Sequence, residues 1–472
     1  MNRAVPLALP LLALWLGRAT PARADEFHFE DFRYGQRALG MGGAVTGLAV
    51  EPGAAWYNPA GLARLEGAEF SGALTFVGFE SYTLRSGLRD EGYFQPEDMT
   101  ASGAAAEPSY VVASATLGRH ALALTTFLAS DRSLGFSGRV AKPFDAPGGR
   151  DEVRFTLSDD RSARQLMRGI TYAFRASGAW ALGVSAYWVA QTRSRRLRRS
   201  RLLQGSDPAS VMFLDLTTEE RTSTDSVQGR LGVLWTPAGP WSAGVACTSP
   251  SVPLAGQATY GQILADSGDR AGVTDALPTY VNAPQKAEAQ TVLPGHCRVG
   301  GAWQGAGWTV SADLSVVLPM RYQRFNVADG PAGLYLNDVT HELTVNAAVG
   351  VEFPFAARWP MRAGLFTNRT SAPSVPALPK GFYEPHVDRY GATWSMGYLG
   401  DKRSINFGLE AQMGAGHSTA SASLERLDGE AAYIRLEREE WRVVFFVAGA
   451  AAFASSASRE LLDLERLEQR AP

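Results

Sequence analysis

Residues 308–318 have the sequence WTVSADLSVVL, in which apolar and polar side chains alternate. Apolar residues occupy the even positions, and polar residues occupy positions 309, 311, 313 and 315. A period of two is typical of a β-strand with one apolar and one polar face. Residues 343–353 (LTVNAAVGVEF) and 405–413 (INFGLEAQM) repeat the pattern. The sequence therefore predicts an all-β protein.

The breaks between strand-like segments alternate between short and long. The short breaks lie at 118–119, 176–178, 237–239, 305–306, 354–358 and 400–402. The longer polar or Gly/Pro-rich segments lie near 83–107, 132–160, 196–221, 249–287, 320–337, 371–387 and 419–432. Tight turns at one end and long loops at the other are typical of outer-membrane barrels, whereas a soluble sandwich has no reason for this asymmetry. We expect a transmembrane antiparallel β-barrel of about 14 strands over residues 67–453.

Tryptophans gather near the short breaks. They are Trp180, Trp235, Trp241, Trp303, Trp308 and Trp359. Aromatic rings at one level form the belt between the apolar core of a membrane and its headgroups. Tryptophans packed in a soluble β-core are the alternative, but they would not collect at one end.

Charged and amide side chains occur on the polar faces of the predicted strands. We expect these residues in the lumen, because charges facing lipid are costly. They are Arg230, Asp313, Glu342, Asn346, Glu352, Arg362, Glu410 and Arg442. Two roles fit these residues: they pair with one another to fill the lumen, or they line a path through it.

The two ends of the chain differ from the predicted barrel. Residues 1–24 combine a basic start, an apolar run and the Ala22-Arg23-Ala24 site, so we expect a signal peptide. Residues 454–472 follow Phe453 with leucines along one side of a charged segment, which predicts a short helical periplasmic tail.

Composition and motifs exclude several function classes. A formal charge of −2 argues against nucleic acid as a partner. The histidines show no metal-ligand spacing, and neither a dinucleotide fingerprint nor a G-x-S-x-G motif is present. We therefore expect no cofactor, no metal and no enzymatic activity. A barrel lipase built on His417-Ser418 is a remote alternative that lacks a third partner.

Cys247 and Cys297 lie at similar distances from the short breaks at 237–239 and 305–306. This places them at similar heights on consecutive antiparallel strands. Directly opposed residues come within reach of a disulfide. A disulfide is one expectation, and two free cysteines that fill space are the other.

An apolar, glycine-rich segment precedes the first predicted strand. Residues 35–65, GQRALGMGGAVTGLAVEPGAAWYNPAGLARL, do not alternate. We expect residues 25–66 to form a hatch that plugs the lumen, since a barrel of this size leaks unless it is filled.

This segment resembles the N-terminal signature of the FadL-like outer-membrane long-chain fatty acid and hydrocarbon transporters. The matching residues are Gly40, Met41, Gly42 and Gly43 in the glycine run, and Asn58, Pro59 and Ala60 in the Asn-Pro-Ala motif. The resemblance implies a monomeric passive transporter in the bacterial outer membrane, with external loops that capture a hydrophobic ligand. It also implies a hatch that moves on binding and an exit sideways through the wall. A barrel of the same fold that anchors or shuttles protein partners in secretion is the alternative.

A basic run, RSRRLRRSR, covers residues 193–201. On an external loop, arginines match the phosphates of lipopolysaccharide. Arg195, Arg196, Arg198 and Arg199 are the expected contacts. A merely solvated charged segment is the alternative.

Overall fold

The computed structural model describes residues 26–31, 33–48, 51–89, 94–146, 149–205, 211–266, 279–325, 338–421 and 433–453. The predicted signal peptide and C-terminal tail lie outside these residues. Among the described residues, no helix is both long and apolar enough to cross a membrane.

Strands account for most of the described chain. Their bounds are β1 Ala68–Leu88, β2 Glu97–Leu117, β3 His120–Ala146, β4 Gly149–Arg175, β5 Trp180–Gln204, β6 Val211–Trp235, β7 Trp241–Thr248, β8 Val252–Asp266, β9 Thr279–Glu288, β10 His296–Gly305, β11 Trp308–Val317, β12 Met320–Gln323, β13 Asp338–His341, β14 Thr344–Ala356, β15 Trp359–Asn368, β16 His386–Leu399, β17 Arg403–Ser421 and β18 Tyr433–Phe453. The segment before β1 holds helix α1 (Gln36–Gly40), helix α2 (Ala54–Tyr57) and a 3₁₀ helix (Pro59–Arg64).

The strands close into an antiparallel barrel. Each wall strand pairs with its neighbours in chain order, β1 pairs with β18, and β5 pairs with β6. The wall has 14 strands, as the sequence predicts. The other four strands lie outside the wall. β8 pairs with the part of β6 that is farther from the tight turn after Trp235, and β9 pairs with β8. β12 pairs with β13 in a separate small sheet.

The six short breaks found in the sequence are tight turns at one end of the barrel, whereas the connection between β3 and β4 at the opposite end is also short. The six turns connect β2 to β3, β4 to β5, β6 to β7, β10 to β11, β14 to β15 and β16 to β17. Exposed tryptophans mark this end, and Trp180 lies opposite Trp235 with ring centroids 6.3 Å apart.

The wall is apolar outside and polar inside. On β11, Val310 and Leu314 are exposed, whereas Ser311 and Asp313 are buried. A soluble barrel has the opposite arrangement. An exposed band of Leu, Val, Ile and Trp around a polar interior is the surface expected of a membrane-spanning barrel.

Four segments that the sequence suggests are loops, 83–107, 132–160, 196–221 and 249–287, are mostly strand. β3 and β4 pair continuously between Ser130–Gln165 and Ala146–Gly149, and β5 pairs with β6 up to Gln204–Val211. The reason is cross-strand charge pairing: Arg196 bonds Glu219 and Arg198 bonds Asp215, so a polar sequence still forms a ladder. The wall therefore projects well beyond the roughly 9 to 11 residues that a membrane needs.

Cys247 and Cys297 lie directly opposite each other on β7 and β10. Their Cα atoms are 4.1 Å apart and their sulfur atoms are bonded. The crosslink lies where β7 ends, so it closes the base of the long excursion that contains β8 and β9.

Candidate functional site

The lumen is filled by the described part of residues 26–66, here called the plug. Its Ala38, Met41 and Leu62 side chains are fully buried. At the tight-turn end, Arg64 Nη1 donates to the Gly178 carbonyl at 2.8 Å. At the other end, Glu26 pairs with Arg324. The plug therefore runs the length of the lumen before the chain enters the wall at β1.

Local chemistry folds the glycine run of the plug. The Glu51 carboxylate accepts from the backbone N–H groups of Arg37 and Ala38, which lack partners at the start of α1. After α1 the chain reverses through Gly42 and Gly43, whose φ angles of 65° and 86° favour glycine.

A wall carboxylate holds the next turn of the plug. Asp313 Oδ2 accepts from the N–H groups of Val45 and Thr46 at 3.1 and 2.9 Å. It also accepts from the Thr46 hydroxyl at 2.6 Å. Asp313, which strand alternation predicts to face the lumen, thus binds the plug to the wall.

The WYNPA sequence ties the plug to itself and to the wall. Asn58 Nδ2 donates to the Thr46 carbonyl at 3.1 Å and to the Val233 carbonyl of β6 at 2.9 Å. Asn58 Oδ1 accepts from the Ala60 N–H and so caps the 3₁₀ helix, where Pro59 needs no donor. These bonds give Asn58, Pro59 and Ala60 a positioning role.

Wall glycines let the plug backbone approach closely. A Cβ atom at Gly364 would overlap the backbone of Met41 and Gly42, and one at Gly350 would overlap Met41. A Cβ atom at Gly183 or at Gly232 would overlap Pro59 in the same way. Strand glycines often mark such approaches, but only the structure shows which glycines face inward.

Seven of the eight predicted lumen residues point inward and most of them contact the plug. Arg362 Nε donates to Glu352 at 2.6 Å, and Glu352 also pairs with Arg37 of α1. Glu410 pairs with Arg33, and Arg442 Nη1 donates to the Asp31 carbonyl at 3.4 Å.

Glu342 is the exception, and its predicted lumen position is wrong. Its side chain is exposed, because β13 ends at His341 and β14 begins at Thr344. Residues 342–343 connect two strands and do not continue the alternation. The neighbouring His341 is the buried residue, with Nδ1 2.9 Å from the Ser371 hydroxyl.

The first residues of the plug form an anionic arm. Glu26 pairs with Arg324 and Arg193, and Glu30 pairs with Arg298. Asp31 Oδ1 lies 3.1 Å from Arg389. The arm thus pairs its acidic side chains with arginines of the wall strands and with Arg324, which follows β12.

A second set of buried charges lies in the projecting part of the barrel. Burial alone would raise the pKa of Asp159, but the guanidinium groups of Arg161 and Arg195 hold that pKa well below its ordinary value. Burial opposes ionisation of Glu384 in the same way, and the arginines, chiefly Arg193, lower its pKa to about 2. These carboxylates are therefore charged at any physiological pH.

The wall opens between β2 and β3. Their ladder holds eight residue pairs, from Leu117–His120 to Tyr110–Phe127. Beyond Tyr110 and Phe127, β2 continues on β1 and β3 continues on β4. Other wall ladders, such as β7–β10 and β15–β16, also hold eight pairs, but here both strands continue past the last pair on different partners, so the wall separates at this point.

Aromatic side chains close this opening from inside. Plug residues Tyr34 and Trp56 pack on Phe127, with ring centroids 4.9 and 5.2 Å away. Tyr34 Oη donates at 2.7 Å to the carbonyl of Leu128, next to a β3 bulge. Tyr187 Oη donates to the Ala55 carbonyl at 2.5 Å. The plug thus takes the place that a neighbouring strand would fill.

Sequence reasoning missed this aromatic group. Tyr34, Tyr110, Phe127 and Tyr187 are scattered along the chain, and no spacing connects them. The sequence also gives no sign that the β2–β3 ladder ends at Tyr110 and Phe127, because both strands continue with ordinary strand sequence. The one available signal is the concentration of aromatics in the plug, at Tyr34, Trp56 and Tyr57.

The basic run does not form one surface. Arg196 and Arg198 are exposed on the outer face of β5, each in an ion pair. Arg195 points inward and pairs with Asp159, and Arg199 shares its side of the strand. The expected lipopolysaccharide contact is therefore wrong for Arg195 and Arg199, because β5 continues through the run and alternates its side chains.

The structure gives no support for a lipase. His417 and Ser418 are consecutive on β17, so their side chains face opposite ways, with Ser418 buried. Within the described ranges, no group of three or more His, Cys, Asp or Glu side chains could hold a metal ion.

The fold matches solved structures of a FadL homologue and of toluene transporters. A FadL homologue from Pseudomonas aeruginosa aligns with a TM-score of 0.59 at 13% identity, covering 90% of this chain and 100% of that one. The P. putida toluene transporter TodX gives 0.55 at 13%, covering 90% and 100%. The Ralstonia pickettii toluene transporter TbuX gives 0.51 at 16%, covering 90% and 99%. No protein-family model matches the chain, and a search of curated proteins finds no relative. At these identities the likeness establishes the fold.

We predict that Gly364→Ala destabilises the protein by about 1 to 3 kcal/mol, because the added methyl group overlaps plug backbone that cannot move aside. Gly301→Ala is the matched control: its Cβ atom would lie 3.8 Å from the Ser242 carbonyl oxygen. Urea unfolding in lipid vesicles, followed by tryptophan fluorescence, measures both variants. Equal free energies of unfolding for the two variants would contradict the close approach of plug and wall.

Proposed function

We propose that this protein is a FadL-type passive channel of the bacterial outer membrane that carries hydrophobic compounds across the outer leaflet barrier. The observation that carries the proposal is the opening between β2 and β3, which plug aromatics close from inside. A hydrophobic molecule that displaces these rings reaches the membrane without crossing the polar end of the lumen. No catalytic step is required.

The projecting strands supply a place for capture. A second apolar cluster, separate from the plug, contains Tyr82, Met99, Phe136, Phe155 and Leu216. It lies among the parts of β1 to β6 that project beyond the membrane. These side chains are buried against one another inside the projecting strands, and an apolar cluster on the external side is suited to receiving dilute hydrophobic compounds before they reach the plug.

The fold neighbours support the same class of cargo. They are described as a FadL homologue and as toluene transporters. We propose long-chain fatty acids or similar hydrocarbons as the cargo, residues 26–66 as a movable hatch, and a monomer as the working unit. Each barrel has its own plug and its own wall opening, so a single chain is sufficient.

The alternative, a barrel that anchors or shuttles secreted protein partners, makes a different prediction. It needs an exposed docking surface and does not need the wall opening. A strain that lacks the protein would then lose surface display of secreted proteins and would take up fatty acids and toluene normally.

We predict that a disulfide across the opening blocks uptake. Ser109 and Leu128 are the next residues along the two strands beyond the last pair, Tyr110–Phe127. Ser109→Cys with Leu128→Cys, in a Cys247→Ser/Cys297→Ser background, narrows the opening when oxidised. Val112→Cys with Thr125→Cys is the control, because these residues are already paired within the ladder.

Uptake of labelled palmitate and toluene by complemented deletion cells is the measurement. We expect loss of uptake in the oxidised test variant, recovery with reductant, and no redox effect in the control. Uptake that is indifferent to the crosslink would exclude an exit between β2 and β3. Normal uptake in the deletion strain itself would exclude the transport function.

Lipopolysaccharide is the proposed partner of the outer face. Arg196 and Arg198 project above Trp188, an exposed aromatic on the same face of β5. Their ion pairs with Glu219 and Asp215 are solvent-exposed and therefore weak, typically below about 1 kcal/mol. Phosphate groups can compete for such arginines and bind both N–H donors of a guanidinium.

We predict that Arg196→Gln with Arg198→Gln reduces the lipopolysaccharide that copurifies, with the largest deficit at low salt, where charge attraction is least screened. Arg358→Gln with Lys402→Gln removes the same charge at the tight-turn end and serves as control. Phosphate analysis of the purified proteins measures the bound lipid. If both double variants retain equal amounts of lipopolysaccharide, Arg196 and Arg198 are solvated residues that do not bind this lipid.

A further inference from the structure

The outer face of the projecting wall carries a groove that crosses β3, β4, β5, β6 and β8. Its volume is about 560 Å³, within the roughly 300 to 1,000 Å³ that is usual for small-molecule sites. Hydroxyl and charged side chains that point away from the lumen line most of it. They include Ser162, Ser194, Thr217, Glu219, Arg221 and Thr259. The groove is therefore a polar site outside the barrel, unlike the apolar clusters within it.

Directly opposed residues form the first row of the groove. Ser194 of β5 lies opposite Ser162 of β4 and Arg221 of β6. The two serine hydroxyls are 2.5 Å apart. Arg221 in turn lies opposite Thr259 of β8, and the side chains of both residues are exposed. This row thus presents hydroxyl and guanidinium groups across four strands.

The second row adds carboxylates. From β3 to β8 it consists of Gly135, Asp160, Arg196, Glu219 and Gly261. The side chains of Arg196 and Glu219 pair with each other and are 65% and 52% exposed. Glycines at both ends of the row leave the charged centre accessible from the sides. Donors and acceptors of hydrogen bonds therefore lie next to each other in the groove.

Two β-bulges explain why the outer face is concave here. One interrupts the β3–β4 register between Leu128 and Ser130, and the other interrupts the β6–β8 register between Asp225 and Ser226. Both lie on the membrane side of the groove. Because a bulge bends its strand and increases the local twist, the sheet beyond the bulges departs from the line of the barrel wall.

The groove begins above the boundary of the lipid-facing band. Trp188 of β5 is 48% exposed, and its Nε1 donates to Asp225 at 2.8 Å. Arg168, directly opposite Trp188, is exposed, whereas Ile170 on the same face of β4 is an exposed apolar residue nearer the tight turns. A tryptophan with a polar partner is typical of the headgroup level. Ser194 lies six residues further along this face, about 20 Å of strand.

The mixed lining distinguishes among possible occupants. A phosphate alone is matched best by arginines without neighbouring acids, but Asp160 and Glu219 lie beside Arg196. A hydrophobic molecule or a protein partner needs apolar or aromatic anchors. A saccharide fits both kinds of group, because each of its hydroxyls can donate to a carboxylate and accept from a guanidinium.

We infer that the groove binds the core saccharide of a lipopolysaccharide molecule whose lipid part lies against the wall below it. The inference rests on the proposed lipopolysaccharide partner and names the part of that lipid which the protein recognises. Arg168, beside Trp188, meets the phosphates, and the rows of Ser194 and Arg196 meet the sugars above them. Since β3 is one edge of both the groove and the wall opening, the bound lipid borders that opening.

The test compares lipopolysaccharide that carries a complete core saccharide with lipid A, which has the phosphates and acyl chains but no core. Delipidated protein in detergent micelles is titrated with each probe, and native mass spectrometry measures the bound lipid. Wild-type protein is expected to bind lipopolysaccharide at least about tenfold more tightly than lipid A, the effect of one or two additional hydrogen bonds.

Ser194→Trp fills the groove without changing a charge. It should reduce the preference for lipopolysaccharide to less than about threefold and leave the affinity for lipid A unchanged. Ser102→Trp is the matched control, because Ser102 is an exposed serine on β2 outside the groove, and it should retain the full preference. Arg168→Gln should weaken both probes by a similar factor, since both carry the phosphates. Heat-modifiable gel mobility verifies that each variant is a folded barrel.

Equal affinity of the wild type for the two probes would overturn the saccharide site and leave the lipopolysaccharide contact of the outer arginines standing. A Ser194→Trp variant that keeps the preference, or that loses affinity for both probes alike, would also overturn it. Binding of neither probe by the wild type would contradict the proposed lipid partner together with the groove, whereas the uptake measurements test transport separately.

Discussion

Backbone N–H and C=O groups inside a membrane need hydrogen-bond partners within the protein, and this requirement determines the rest of the structure. Strands satisfy it only when the sheet closes on itself, as β1 does on β18 and β5 does on β6. Closing fourteen strands creates a lumen that must be filled to keep the membrane sealed. The plug fills that lumen, and its own polar groups then need partners in the wall. Asp313, Glu352 and Glu410 supply them, and this explains why the lumen is rich in charges.

Between β2 and β3 the ladder ends while both strands continue on their other neighbours, and plug side chains take over the closure. Hydrogen-bonded ladders are cooperative and slow to open, whereas packed rings can rotate or shift. The Tyr34 hydroxyl on Leu128 and the Tyr187 hydroxyl on Ala55 are single bonds that a small displacement breaks. A gate built from the plug can therefore move while the barrel remains intact.

The sequence was informative wherever one strand face meets lipid and the other meets the lumen. Alternation in residues 308–318 and 343–353 identified the wall, the lumen face and the positions of the tight turns. It was misleading where both faces are polar: β5 continues through RSRRLRRSR because each outward arginine meets an acid on β6. Glu342 was misplaced because alternation does not show where a strand begins. The aromatic group depends on contacts between distant segments, and no local pattern encodes it.

The central claim is that residues 26–66 seal the lumen of a barrel that is otherwise open. Ion conductance across planar bilayers tests it most directly, because wild-type protein can be compared with a variant that lacks these residues. We expect no steady current through the wild type and a large steady pore in the variant. A steady pore of equal conductance in both proteins would contradict the account.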